Sequence, residues 1–372
     1  MNPIIKWPGG KSKEIDKIQH LIPKYERYVE PFFGGGALYF HLQPNRSAIN
    51  DISSSLMQYY QLIKQQDQEL RAFLVCYSNS FSNLVNICSQ NSNLLISIFF
   101  DLKNGKITCE QLRETLKEII RDLSGTIGAG FSNNLLLNKD EFDKSLLEFA
   151  EDKFVRTIAN YNKTPFSTED LQENLITGFT SGYYMYFRKV FNDINLGRIK
   201  FVSIQYKVAN FYFVREYCYG SMFRYNSKGE FNIPYGGMSY NRKNMMSKID
   251  SMFNDDVAKL FSNTDIHCTD FEEFFKNIHL TSSDFMFLDP PYDTDFSDYE
   301  GKDFTKNDQA RLAMALRNTP AKFILIIKNT DYIHSLYENH FNILTFDKQY
   351  TYNVRSRNDR DVEHLIITNL PI

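Results

Sequence analysis

The chain has 372 residues, 42% of them hydrophobic and 23% charged, enough for a sizeable core and, by length, for about two domains. That composition excludes disorder as its main state. With 42 basic against 45 acidic side chains the net charge is −3, so a nucleic-acid partner would have to be held by a local basic patch rather than by a global field.

The five cysteines, at 76, 88, 109, 218 and 268, form no Cys-x-x-Cys pair and suggest neither disulfides nor zinc, and the histidines show no metal-ligand spacing. The most apolar stretches, 94–100 and 323–327, are far shorter than the roughly 18 to 20 residues that cross a bilayer. The N-terminus lacks the apolar run of a signal peptide. A cytoplasmic protein without metal or membrane contact is expected.

In chain order, residues 15–21 read as a short helix and Tyr28-Val29-Glu30 as a strand. That strand runs into Pro31 and the glycine run Phe32-Phe33-Gly34-Gly35-Gly36. A helix over 37–42 and a strand over 47–50 ending at Asp51 complete a strand, glycine loop, helix, strand, acid pattern. Between about 61 and 180 the pattern becomes helical, clearest at Leu112, Leu116, Ile119, Ile120 and Leu123, with Thr108 and Gln111 as a capping box. This stretch holds 12 basic and 16 acidic residues and is the acidic part of the chain.

From Ser181 basic and aromatic residues interleave. Residues 215–248 set Arg215, Arg224, Lys228, Arg242, Lys243 and Lys248 against only Glu216 and Glu230. The last third returns to strands and helices: Phe285–Leu288 ending at Asp289, a helix over 307–317, a strand over 323–327 and two strands around Tyr350 and Leu365. Strands alternating with helices predict a largely parallel, doubly wound α/β sheet.

Asp289-Pro290-Pro291-Tyr292 follows an apolar strand directly, where ligands sit in such sheets. Proline fixes its φ and lacks an N–H, so the Pro290 carbonyl can be held toward a ligand beside the Asp289 carboxylate. Two acceptors and the Tyr292 ring suit an exocyclic amine on a flat base. Accepting both N–H bonds draws the nitrogen toward tetrahedral geometry and frees its lone pair for attack, while Asp289 stabilises the growing positive charge. The plain alternative is a strand-ending turn.

The glycine loop with Asp51 suits any adenosine cofactor, since glycines let a ligand approach the backbone and the acid can hold ribose hydroxyls. Lys6-Trp7-Pro8-Gly9-Gly10-Lys11-Ser12 ends like a phosphate loop, but Ile5 stands where that loop needs its first glycine. An aromatic and a lysine beside a Gly-Gly turn could instead clamp the far end of a cofactor. Arg224 through Pro234 reads as a hairpin whose basic and aromatic residues can meet phosphates and base edges.

Taken together, Lys6 to Lys11, Glu30 to Gly36, Asn50-Asp51-Ile52, Arg224 to Pro234 and Asp289 to Tyr292 resemble, in order, the motifs of the DNA adenine methyltransferase (Dam) family. The resemblance covers about 1–60 and 181–372. It implies a Rossmann-like methyltransferase sheet, S-adenosylmethionine as cofactor and transfer to adenine N6 in double-stranded DNA, commonly at GATC, after base flipping.

By motif match it makes Asp289, Pro290, Pro291 and Tyr292 catalytic. Trp7, Lys11, Glu30, Phe32, Gly34, Gly36, Asp51, Asp270, Phe271 and Asp289 become cofactor contacts. Lys6, Arg224, Asn226 and Pro234 become DNA contacts. The expected partners are double-stranded DNA and, in a restriction–modification setting, a cognate endonuclease, for a monomer or weak dimer.

The expected domains are a catalytic one over 1–60 and 249–372, a helical insertion over 61–180 and a target-recognition domain over 181–248. The insertion is the departure from smaller family members. The rival readings are a cytosine-N4 methyltransferase, a DNA-binding scaffold without catalysis, and a nicotinamide enzyme resting on the glycine loop alone.

Overall fold

A computed structural model describes residues 1–9, 14–128, 135–292, 304–349 and 361–371. The chain divides into two compact units, Met1–Gln65 with Asp255–Ile372, and Gln66–Asn254.

The first unit is built on a seven-stranded sheet: β1 (Arg27–Glu30), β2 (Ser47–Asn50), β3 (Thr264–His267), β4 (Asp284–Leu288), β5 (Lys322–Lys328), β6 (Asn342–Gln349) and β7 (Asp361–Thr368). Their order across the sheet is β3-β2-β1-β4-β5-β7-β6. The first five run parallel and β7 is antiparallel to both its neighbours. The predicted α/β class is therefore correct, with an antiparallel pair closing one edge; Tyr350 lies outside the described residues.

Central strands of a sheet covered on both faces read as continuous apolar runs. Accordingly, every residue of β4 is buried, as are the five inner residues of β5. On one face Met286, Leu288, Phe323, Leu325, Leu365 and Ile367 pack with the apolar stripes of the helices Phe271–Ile278, Lys306–Arg317 and Asp331–Tyr337.

The second unit is helical, with Gln68–Gln90, Ser92–Lys103, Cys109–Gly128, Lys139–Tyr161, Thr168–Asn195 and Ile204–Tyr217 as its long elements. Four of their starts are fixed by side-chain caps, Asp67, Asn138, Ser167 and Ser203. The capping box at Thr108 and Gln111 forms as the sequence predicts.

Helices Lys139–Tyr161 and Thr168–Asn195 approach closely because Gly182 has no side chain. A Cβ there would lie 2.7 Å from the Leu146 Cα. Residues 180 and 181 both lie inside Thr168–Asn195, so the segments expected as insertion and recognition domain share one helix. The hairpin forms through the antiparallel bridges Tyr225↔Phe231 and Cys218↔Tyr235. Among the described residues no helix is long and apolar enough to cross a membrane.

Candidate active site

The order of strands reverses beside β1: β2 and β3 lie on one side of it, β4 and β5 on the other. A doubly wound sheet opens a crevice at such a switch point, outside the carboxyl ends of its strands. Glu30 ends β1, Asp51 follows β2 and Asp289 follows β4, so these three acids, far apart in sequence, come to neighbouring strand ends.

Glu30 is buried and accepts a 2.8 Å hydrogen bond from the Tyr28 hydroxyl. Burial pushes its carboxyl well above the ordinary carboxylate range; the Tyr28 bond opposes this, and the charges of Asp289 and Asp51 add to it. Burial also raises Asp51, against the N–H groups of Ser53, Gly34 and Ile52 that stabilise its anion. Among the described residues no group of acids, histidines and cysteines is arranged to hold a metal.

The glycine loop is tied to this corner by Asp51, whose carboxylate accepts from the Gly34 N–H at 2.8 Å and the Ser53 N–H at 3.0 Å. Tyr60 donates to the Gly34 carbonyl at 3.0 Å. Gly34 has φ +49°, and a Cβ there would lie 2.8 Å from Trp7 Cδ1. The glycine thus makes room for the Trp7 ring, while Gly36, at φ +64°, makes room for Phe33. Asn50 joins the loops beyond β1 and β3, donating to the carbonyls of Pro31 and Thr269 and accepting from the Thr269 N–H.

After β4, Pro290 is buried and Asp289 and Tyr292 are half-buried. Two neighbours that the sequence did not single out hold this turn. Gln309, fully buried on helix Lys306–Arg317, donates to the Pro291 carbonyl at 2.8 Å. The ring of His364, buried on β7, meets Tyr292 edge to face at 5.4 Å. Only the burial of a polar residue in a helix stripe marks Gln309, and a sequence pattern shows that weakly.

Asp270 caps helix Phe271–Ile278 and pairs with Arg311 at 2.8 Å, which also binds Glu272 and Asp308. The Arg311 guanidinium lies over the Phe271 ring, and Phe32 packs against both Phe271 and Phe304. Lys6 is exposed at the start of this unit, and Lys11 lies outside the described residues.

The remaining expected DNA contacts belong to the 66–254 unit. Arg224 is exposed and donates from Nε to the Asn232 side chain at 2.7 Å. Pro234 is exposed, whereas Asn226 shapes the turn itself: its carbonyl oxygen accepts from the Lys228 and Glu230 N–H groups and its amide donates to the Glu230 carboxylate.

Of the cations counted in 215–248, Arg215 is buried and donates to the carbonyls of Ser221 and Met222. Lys243 donates to the Glu216 carbonyl, Lys248 pairs with Glu216, and Arg242 pairs with Glu173. The predicted patch is therefore narrower than its charge count.

The chain is similar to known methyltransferases. The virus Paramecium bursaria Chlorella virus NC1A has a Type II methyltransferase, M.CviBI, that is 24% identical over 99% of this chain and 100% of its own length. The Type II methyltransferase M.MjaIII of Methanocaldococcus jannaschii is 26% identical over 92% of this chain and 90% of its own. The DNA adenine methylase of Escherichia coli K12 is 37% identical over a shorter region, 18% of this chain and 23% of its own. The family pattern of the D12 class matches residues 7–83 and 147–352, both strand-end motifs included, and on that match the chain belongs to the D12 class of N6 adenine-specific DNA methyltransferases.

Proposed function

We propose that the crevice at the ends of β1, β2 and β4 binds S-adenosylmethionine and a flipped adenine, and that N6 of that adenine is methylated within a short site of the GATC type. The observation that carries this reading is the convergence of Glu30, Asp51 and Asp289 on one switch point beside the glycine loop. S-adenosylmethionine, when bound, supplies an electrophilic methyl group on a sulfonium. Its net positive charge fits this donor set, because burial opposes the ionised forms of Glu30 and Asp51 and a cation beside them favours those forms.

Asp51 and Asp270 offer acceptors to the adenosine part, Phe32 and Phe271 offer ring surface, and Trp7 with Lys11 closes on the methionine part. Asp289 and the Pro290 carbonyl accept the two N–H bonds of the target amine, and Tyr292 stacks on its ring. A base inside the duplex cannot reach these groups, so it must leave the stack. Lys6, Arg224 and Pro234 contact DNA, residues 181–248 act in target recognition, and a cognate endonuclease is the partner suited to a Type II role.

Flipping is tested with a duplex carrying 2-aminopurine in place of the target adenine. Its fluorescence rises on binding if the base is extruded; tight binding without that rise contradicts the flipped-base reading. In parallel, Asp51→Ala weakens equilibrium binding of labelled S-adenosylmethionine, and unchanged binding would remove Asp51 from the cofactor site.

A further inference from the structure

The 66–254 unit contains a cleft of about 400 Å³, formed by helices Lys139–Tyr161 and Thr168–Asn195 and by residues 234–237 at the end of the hairpin. Lys153, Arg156 and Arg188 line it, beside Asn160, Pro234 and Tyr235. Two of these cations, Lys153 and Arg156, come from the acidic 61–180 stretch, and Arg188 joins them from the segment that follows it.

Only one of the three has an ion-pair partner among the described residues. Arg156 pairs with Asp152, one turn away on its own helix. Lys153 has no ion pair or hydrogen bond among the described residues. Burial and the Arg156 guanidinium both press its ammonium below the ordinary lysine range, and the Asp152 charge opposes them. Burial likewise lowers Arg188, as does the charge of Arg224, against Tyr184 and Glu230; Arg188 also donates to the Ile233 carbonyl at 3.1 Å.

The carboxylates around the cleft are already engaged. Glu173 holds Arg242 and Asn241, and Glu230 holds Arg198 and Asn226. A half-buried ammonium without a partner costs free energy that an incoming anion relieves.

We infer that this cleft receives a backbone phosphate of the substrate DNA, so that the helical insertion forms part of the DNA-binding surface. The inference rests on DNA being the substrate and adds a phosphate site. The substrate is a polyanion whose binding releases counterions in proportion to the phosphates neutralised. Pro234 and Tyr235 line the same cleft and add no charge to it.

The test is a salt titration of duplex binding with the full-length protein, comparing wild type with Lys153→Gln and with Lys153→Gln/Arg156→Gln. Lys144→Gln, an exposed position on the same helix outside the cleft, serves as control. Each lost phosphate contact lowers the slope of log affinity against log salt by about 1 and weakens binding about equally on every sequence. Lys144→Gln leaves both unchanged, and Lys153→Arg restores the wild-type slope.

Single neutral methylphosphonate linkages should weaken wild type at one position and leave the double variant indifferent there. Identical slopes and affinities for wild type and double variant overturn the inference. Loss of competition by inorganic phosphate with no change in duplex binding would make the cleft a small-anion site and also overturn it. A wild-type protein that neither binds nor methylates duplex DNA would instead sink the DNA reading itself, and this is seen before any variant is compared.

Discussion

The carboxyl end of the sheet and the charged surface of the 66–254 unit are built by different rules. At the sheet, each proposed site residue is fixed by the strand it ends or follows: Glu30 by β1, Asp51 by β2, Asp289 by β4. In the helical unit, the effect of a cation depends on partners from distant sequence, as Arg242 depends on Glu173 and Lys248 on Glu216. A strand-end motif carries its geometry with it, whereas a charge count does not reveal which charges are already paired.

The contrast is sharpest at Asp289. Asp289→Ala should lower methyl transfer by at least about 10²–10³-fold, the scale of losing one group that stabilises transition-state charge, while duplex binding stays near wild type. A fully active variant would break the proposed role of this strand end.

Gln309→Ala removes the donor to the Pro291 carbonyl. It should cost about 1–3 kcal/mol of stability in a urea titration, and turnover should fall with little change in KM for DNA. A rise in KM alone would show that Gln309 does not position the turn.

Arg224 and Arg242 test the helical unit from both sides. Arg224→Ala should lose about 1–3 kcal/mol of discrimination at one base. Arg242→Ala, whose exposed side chain pairs with Glu173, should change binding by only about 0–1 kcal/mol. Equal losses for the two variants would mean that the charge count, and not the pairing, decides.

The smallest expected effect is a slope with pH. Folded Glu30 keeps its proton above the ordinary glutamate value of 4.5, whereas the unfolded chain releases it there. The native state therefore binds the extra proton, and stability falls as pH rises from that value through the raised native one. Glu30→Gln removes this contribution, so its urea midpoint should vary less with pH across that window; parallel curves would contradict the assignment.

Much of this was legible because it is local. The apolar run of β4, the glycine run after β1 and the Thr108 capping box each signal their own backbone. Gln309 and His364 were not legible as supports of the Asp289 turn, because their contacts depend on how a later helix and the last strand pack. Arg215 looked like a surface cation and is buried against carbonyls six and seven residues on. Lys153 and Arg156 lie on one helix and Arg188 on another, and only the pairing of those helices through Gly182 gathers them. The glycine loop was read as room for a ligand, yet the space beside Gly34 holds the Trp7 ring.

The most direct measurement is to incubate the wild-type protein with unmethylated genomic duplex DNA and methyl-labelled S-adenosylmethionine, then map the modified bases by single-molecule sequencing. The account predicts adenine-N6 marks confined to one short motif. Label on cytosine, or none on a duplex the protein binds with its cofactor, would contradict it.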